Sequence, residues 1–73
     1  MPVLLVEKQS AHTTVLTLNR PERRNSLTIE LMSELTNAVD AAERDETQRI
    51  LILRGAGKAF CTGLDLAEVS QAD

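Results

Sequence analysis

The chain has 73 residues, a formal net charge of −3 and one cysteine. Leu, Ile, Val and Phe number 20 of these residues, above the roughly 20% below which chains tend to stay disordered, so a folded segment is expected. One cysteine excludes a disulfide framework and a CxxC metal site, and the lack of an apolar run of about 18 residues excludes a membrane span.

Size and charge also limit the partners. Domains below roughly 70–80 residues seldom gain more than about 3–5 kcal/mol from a single core, so we expect a larger body or partner subunits. The mild acidity argues against nucleic acid as a partner. The amino terminus does not have the pattern of a secretory signal, and together with the single cysteine this favours a cytoplasmic location.

The first half of the chain predicts a hairpin, a loop and a helix. Val3–Lys8 and Thr13–Asn19 have strand composition and are joined by a short polar connection, which is typical of a β-hairpin. Pro21 cannot continue a strand, so a loop follows. Thr28 is a candidate cap for an amphipathic helix that we expect to end near residues 43–45.

The second half predicts a parallel strand and a short final helix. The continuous apolar run Ile50–Leu53 is typical of a strand buried on both faces, as in parallel sheets. Strand, helix and strand in this order predict a right-handed crossover, so the fold class is α/β. A glycine-containing turn follows at residues 55–58, and a short helix is expected to reach about Val69.

The segment Thr62-Gly63-Leu64-Asp65 carries the first candidate for chemistry. Its spacing fits a capping box with Thr62 as the cap, whose hydroxyl accepts the N–H of Asp65. The N–H of Leu64 then has no partner within the helix and is suited to hold an anion, or a carbonyl oxygen that becomes one. The alternative is an ordinary loop-to-helix cap without a ligand.

The other candidates have weaker signals. The glycines at 55 and 57 lack the third glycine of a dinucleotide fingerprint and indicate a plain turn. Cys61 fits a small buried side chain, and His12 fits a solvated turn. The loop arginines form either a phosphate clamp or a solvated loop: Arg20, Arg23 and Arg24. The helix acids indicate a solvated face, and no general acid or base is recognised.

The order of these segments resembles the amino-terminal part of the crotonase superfamily, the enoyl-CoA hydratases and isomerases. Two motifs carry the resemblance, one at residues 15–27 (VLTLNRPERRNSL) and one at residues 58–66 (KAFCTGLDL), separated by a Leu- and Met-containing helix and an apolar strand. The likeness covers nearly the whole chain. It implies that residues 1–73 are the amino-terminal portion of a single domain built from repeated ββα units in a spiral.

The resemblance also implies a substrate class and a site. Members bind acyl-coenzyme A thioesters and stabilise an enolate-like anion with two backbone N–H groups, of which the first matches Leu64. The substrate-binding positions that match are Arg24, Ser26, Thr62, Gly63, Leu64, Asp65 and Leu66. No separate cofactor and no metal are implied, because coenzyme A enters as part of the substrate. Members assemble as trimers or dimers of trimers, so a homo-trimer or hexamer is expected when the protein is intact.

The leading hypothesis is therefore a portion of a 2-enoyl-CoA hydratase, which adds water across the C2–C3 double bond. The second amide donor and the acid and base groups are implied to lie beyond residue 73, so this chain alone is expected to be inactive. The alternatives are another reaction of the superfamily (isomerase, hydrolase or dehalogenase), a non-catalytic assembly piece that associates with the remainder of the domain, and a small α/β domain with no link to coenzyme A.

Overall fold

A computed structural model describes residues 2–69, which form a three-stranded mixed sheet with one long helix. Strands β1 (Leu4–Lys8) and β2 (Thr13–Leu18) make the predicted antiparallel hairpin, in which Leu4 faces Leu18 and Lys8 faces Thr14. The strands β2 and β3 (Ile50–Gly55) run parallel as neighbours, so the sheet order is β1-β2-β3. The predicted α/β class is confirmed.

Helix α1 (Ile29–Arg44) begins and ends where its sequence signals predicted. The Thr28 hydroxyl accepts the N–H of Leu31 at 3.1 Å, which satisfies one of the free amides of the first turn. Asp45 ends the helix, and Asp40 and Arg44 form the expected ion pair at 3.1 Å. The helix lies on the hairpin through Leu31, which joins a core cluster with Leu4, Leu16 and Leu18.

Strand β3 is parallel as predicted, but the expectation that it is buried on both faces is wrong for the described residues. Its four apolar side chains, Ile50 to Leu53, have exposed fractions between 39% and 55%. The strand lies at the edge of the sheet, whereas β2 lies between two neighbours and buries every side chain from Thr14 to Leu18. An edge strand has a partner on one side only, so burial of β3 needs further chain or a further subunit.

The predicted short final helix is present and reaches Val69. Helix α2 spans Leu66–Val69, after a turn that leaves β3 at Gly55. A Cβ added at Gly55 would lie 2.4 Å from the backbone oxygen of Phe60, so only glycine allows the chain to fold back closely here. Of the helices in residues 2–69, none combines the length and apolarity required to cross a bilayer.

The core contact of helix α1 gives a stability prediction. Leu31 has an exposed fraction of 0%, so Leu31→Ala in the intact protein should lower the free energy of unfolding by about 2–5 kcal/mol through lost burial and a cavity. Glu34→Ala, on an exposed position of the same helix, should change it by less than about 0.5 kcal/mol. Urea unfolding measures both, and equal effects would mean that Leu31 does not anchor the helix.

Candidate active site

Two segments meet beside the hairpin to form the candidate site. The first is the loop between β2 and α1, which contains a short 3-10 turn at Pro21–Arg23. The second is the segment from Cys61 to Asp65, before α2. Leu27 and Leu64 form a single parallel bridge that joins them: the N–H of Leu27 donates to the carbonyl of Gly63 at 2.7 Å, and the N–H of Asp65 donates to the carbonyl of Leu27 at 2.9 Å.

The bridge leaves the N–H of Leu64 free. In a parallel pair, a residue flanked by two such bonds directs its own N–H and carbonyl away from the partner segment. Within residues 2–69 the N–H of Leu64 has no hydrogen-bond acceptor, and the residue has an exposed fraction of 53%. An amide without an acceptor among the described residues can donate to a ligand oxygen without breaking any of their hydrogen bonds.

The predicted capping box at Thr62 is wrong, although the free amide is present for another reason. The Thr62 hydroxyl bonds to the carbonyl of Arg24 at 3.5 Å, and the N–H of Asp65 is taken by Leu27. The helix cap is Asp65, whose Oδ1 accepts the N–H groups of Ala67 at 3.1 Å and Glu68 at 3.2 Å. The Leu64 amide is therefore free because of strand-like pairing and not because it lies in a first helical turn.

Gly63 allows this pairing. Its φ is +96°, in the region that side chains with a Cβ rarely adopt, while the space around it is open. The Sγ of Cys61 accepts the N–H of Gly63 at 3.4 Å. The backbone conformation that presents the Leu64 amide is thus set by glycine and by a local bond to the half-buried Cys61.

Asp65 is the most enclosed charged residue of the site, with an exposed fraction of 6%. Its Oδ2 accepts the Ser26 hydroxyl at 3.1 Å and the Arg20 guanidinium at 3.3 Å, and Arg23 lies 3.7 Å from Oδ1. The N–H of Glu68 lowers the pKa of the Asp65 carboxyl; Ser26 and Arg20 act in the same direction, against partial burial, which raises it. The carboxylate is therefore ionised and bonded to protein groups on both oxygens.

Asn25 lies within the first family motif, but the sequence alone did not indicate its structural role. Its side chain is fully buried; Oδ1 accepts the N–H of Arg20 at 2.7 Å, and Nδ2 donates to the carbonyls of Ala56 at 2.9 Å and Ala59 at 2.8 Å. Its φ of 57° follows one of 54° at Arg24. Asparagine tolerates this left-handed conformation better than most residues, and this tolerance is the signal in the sequence for the conformation of the loop.

The other predicted site residues lie near the bridge, in different environments. Arg24 and Leu66 are exposed, and Thr62 is exposed beside Arg24. Ser26 is buried, and its hydroxyl lies between Arg20 and Asp65. Direct contact of these residues with acyl-CoA stays a prediction.

Three further expectations have plain structural outcomes. His12 is exposed in the hairpin turn as predicted, with Nδ1 2.7 Å from the carbonyl of Thr47. The glycine segment after β3 forms a turn, with Gly57 at a φ of +81°. A groove of about 410 Å³ between α1 and the hairpin has Val6, Ala38 and Ala42 among its lining residues, and it shares none of the predicted site residues.

Comparison with known proteins assigns the family. Residues 8–73 match the family described as enoyl-CoA hydratase/isomerase. The chain is 43% identical over 70 residues to the enoyl-CoA hydratase EchA19 of Mycobacterium tuberculosis, covering 96% of this chain and 26% of that protein. It is 53% identical over 51 residues to the 1,2-epoxyphenylacetyl-CoA isomerase of Escherichia coli, covering 70% of this chain and 20% of that protein.

The fold agrees with the sequence match. The crystal structure of enoyl-CoA hydratase EchA1 from Mycobacterium marinum superposes with a TM-score of 0.92 at 35% identity, over 99% of this chain and 28% of that chain. The chain belongs to the enoyl-CoA hydratase/isomerase family, the crotonase superfamily that its motifs resemble. It spans about a quarter of the length of the relatives named here.

The buried Asn25 gives a prediction in which hydrogen bonds and backbone strain can be separated. Asn25→Ala in the intact protein should cost on the order of 2–4 kcal/mol, because it removes three bonds at once. Asn25→Gly removes the same bonds without the Cβ that strains a positive φ, so it should be about 1–2 kcal/mol less damaging than the alanine. A lower free energy of unfolding for Asn25→Gly than for Asn25→Ala, measured by denaturant unfolding, would contradict this explanation.

The lowered pKa of Asp65 gives a pH prediction. A carboxyl whose folded pKa lies below its ordinary value of 3.8 stabilises the fold above that pH and loses this contribution as the pH falls through the folded value. The free energy of unfolding should therefore fall more steeply below about pH 4 in the wild type than in Asp65→Asn. Urea titrations of the two proteins should converge in acid, and a constant gap between them would contradict the assignment.

Proposed function

We propose that this chain is part of an enzyme that acts on acyl-coenzyme A thioesters, and that the reaction is hydration of a 2-enoyl-CoA. The observation that carries the proposal is the N–H of Leu64, which has no acceptor among residues 2–69 and belongs to a residue with an exposed fraction of 53%, at the position that the family resemblance matches to an oxyanion donor. The names of the hydratases from M. tuberculosis and M. marinum support the same substrate class.

The proposed hydration requires one fixed hydrogen-bond donor from this chain. When water adds to the C3 carbon of an enoyl thioester, negative charge develops on the thioester oxygen. A backbone N–H already aimed at that oxygen stabilises the charge without rearrangement, and one such donor is typically worth about 10²–10³ in rate. We propose that Leu64 supplies this first donor, and that the second donor and the proton-transfer groups come from outside residues 1–73.

The coenzyme A part of the substrate would lie along the loop before α1. The Arg24 guanidinium is exposed next to the bridge, where it can bind a phosphate group. We propose that Thr62, Gly63 and Leu66 line the path of the pantetheine and acyl groups. No separate cofactor is proposed, since coenzyme A is part of the substrate.

The larger assembly is proposed on the same grounds. A trimer or a dimer of trimers is implied by the family resemblance, and the uncovered apolar side chains of β3 support the need for further chain or subunits. A cytoplasmic location stays a prediction.

A second candidate reaction has a specific observation in its favour. The segment that is 53% identical to the E. coli 1,2-epoxyphenylacetyl-CoA isomerase supports an isomerase built on the same donor. Both reactions place negative charge on a thioester oxygen, so the Leu64 amide serves either one.

Replacing the Leu64 amide by an ester tests the proposal, because the change removes the N–H while keeping the side chain. It also weakens the Gly63 carbonyl as acceptor of the Leu27 N–H, so hydrogen exchange at Leu27 is measured alongside turnover to show whether the bridge persists. The intact protein with leucic acid at position 64 should lose about 10²–10³ in kcat towards a short 2-enoyl-CoA, followed by the loss of conjugated thioester absorbance. The matched control places lactic acid at Ala11, in the exposed β1–β2 turn, and should retain full turnover.

The outcomes separate the candidates. Wild-type turnover of an epoxyacyl-CoA without hydration of enoyl-CoA would favour the isomerase. Unchanged kcat in the position-64 ester would overturn the role of Leu64, whichever reaction the protein performs.

A further inference from the structure

We infer that Asp65 is a positioning residue, whose buried carboxylate holds the Leu64 amide against the loop that carries Arg20 and Ser26. The inference deepens the proposed function and rests on it, since it assigns a role to a group next to the proposed donor. The family resemblance matched Asp65 to a substrate-binding position, whereas its contacts in this structure are with protein groups.

The first step of the argument is that Asp65 has few free acceptor positions. Oδ1 accepts the amides of Ala67 and Glu68 in α2, and Oδ2 accepts the Ser26 hydroxyl and the Arg20 guanidinium. An ionised carboxylate offers about four lone-pair positions, so these four donors occupy its capacity. A carboxylate in this state, with an exposed fraction of 6%, is suited to hold protein segments in place.

The second step is that Asp65 acts from both its backbone and its side chain. Its N–H bonds to the carbonyl of Leu27 and fixes one end of the bridge around Leu64. Its carboxylate reaches the β2–α1 loop at Arg20 and Ser26, 45 and 39 residues away in sequence. Two attachments on one residue limit rotation of the preceding peptide plane, which contains the Leu64 carbonyl, and fix the end of the segment that presents the Leu64 amide.

The third step is that the partner side chains are themselves held. Arg20 donates from Nη1 to the Ser26 hydroxyl at 3.0 Å and to the Ser26 carbonyl, and its backbone N–H is bonded to Asn25. The guanidinium is therefore fixed to its own loop before it meets Asp65. The β2–α1 loop and the segment that contains Leu64 therefore move together. The proposed coenzyme A path and the proposed oxyanion donor then keep a fixed position relative to each other.

The ion pair also solves an electrostatic problem. A lone carboxylate on the residue next to an oxyanion donor would repel the charge that develops in the reaction. Arg20 and Arg23 both lie against this carboxylate and offset its charge. A positioning role and an electrostatic role can therefore be distinguished, because removing the Asp65 carboxylate and removing the Arg20 guanidinium change the local charge in opposite directions.

The test uses Asp65→Asn and Arg20→Gln in the intact protein, with Asp40→Asn, an exposed acid of the α1 ion pair, as the control. Positioning predicts that both site variants lower kcat by at least about tenfold, with KM for the enoyl-CoA within about threefold of wild type. The double variant should lose about as much as either single variant, because the two side chains act as one unit. The control should leave kcat and KM unchanged.

Hydrogen exchange supplies a readout that does not depend on turnover. The amides of Leu27 and Asp65, which make the two bridge bonds, should exchange at least about tenfold faster in Asp65→Asn. Ser26→Ala removes one bond to the carboxylate with little change in volume, so the exchange rates of the same amides should rise by a smaller factor. This variant takes the place of Asp65→Asn if the asparagine variant does not fold.

Several outcomes would overturn the inference. A raised KM with unchanged kcat in Asp65→Asn would mean that the carboxylate binds substrate directly. Opposite effects of the acid and base variants on kcat would assign a purely electrostatic role. A wild type that turns over no acyl-CoA would contradict the proposed function. Unchanged hydrogen exchange at the Leu27 and Asp65 amides in Asp65→Asn would contradict the positioning role, whether or not the protein is active.

Discussion

The carboxylate of Asp65 is the point where the loop after β2, the segment after β3 and the start of α2 are joined. Its partners are Ser26 and Arg20 on the first of these and two backbone amides on the last. Hydrogen bonds to an ionised group are about twice as strong as neutral ones, so this cluster fixes geometry more firmly than the lone Leu27–Leu64 bridge could. The geometry of the proposed donor at Leu64 needs such support, because a single bridge between two loops has no regular ladder on either side.

The regular elements could be predicted because their signals are local. The Thr28 cap, the apolar stripe that contains Leu31 and the parallel strand Ile50–Gly55 each depend on residues within a few positions of one another. The site could be predicted only in part. The family motifs indicated which segments matter, but the pairing of Arg20 with Asp65 spans 45 residues and depends on the sheet topology that brings the two loops together. The error at Thr62 has the same origin, since Leu27 accepts the amide that a local cap was expected to satisfy.

The apolar side chains of β3 are not covered by the described part of the chain. Four consecutive apolar side chains are exposed on an edge strand, and strands of this kind pair readily with other chains. The whole chain is about a quarter of the length of the relatives named above. The buried leucines of the hairpin and α1 form a local core, whereas β3 presents an apolar surface that this core does not cover.

A buried ion pair is a poor way to gain stability, because removing two charges from water costs free energy that their attraction repays only when the geometry is good. Its presence beside the donor segment is better explained by what an apolar contact cannot do. Leucine packing at position 65 could hold the two loops together, but it could neither cap α2 through its side chain nor define the orientation of the neighbouring peptides by directed bonds. The arginine then compensates the charge that this directed contact introduces, so that an oxyanion at the proposed Leu64 donor would not lie next to an uncompensated carboxylate.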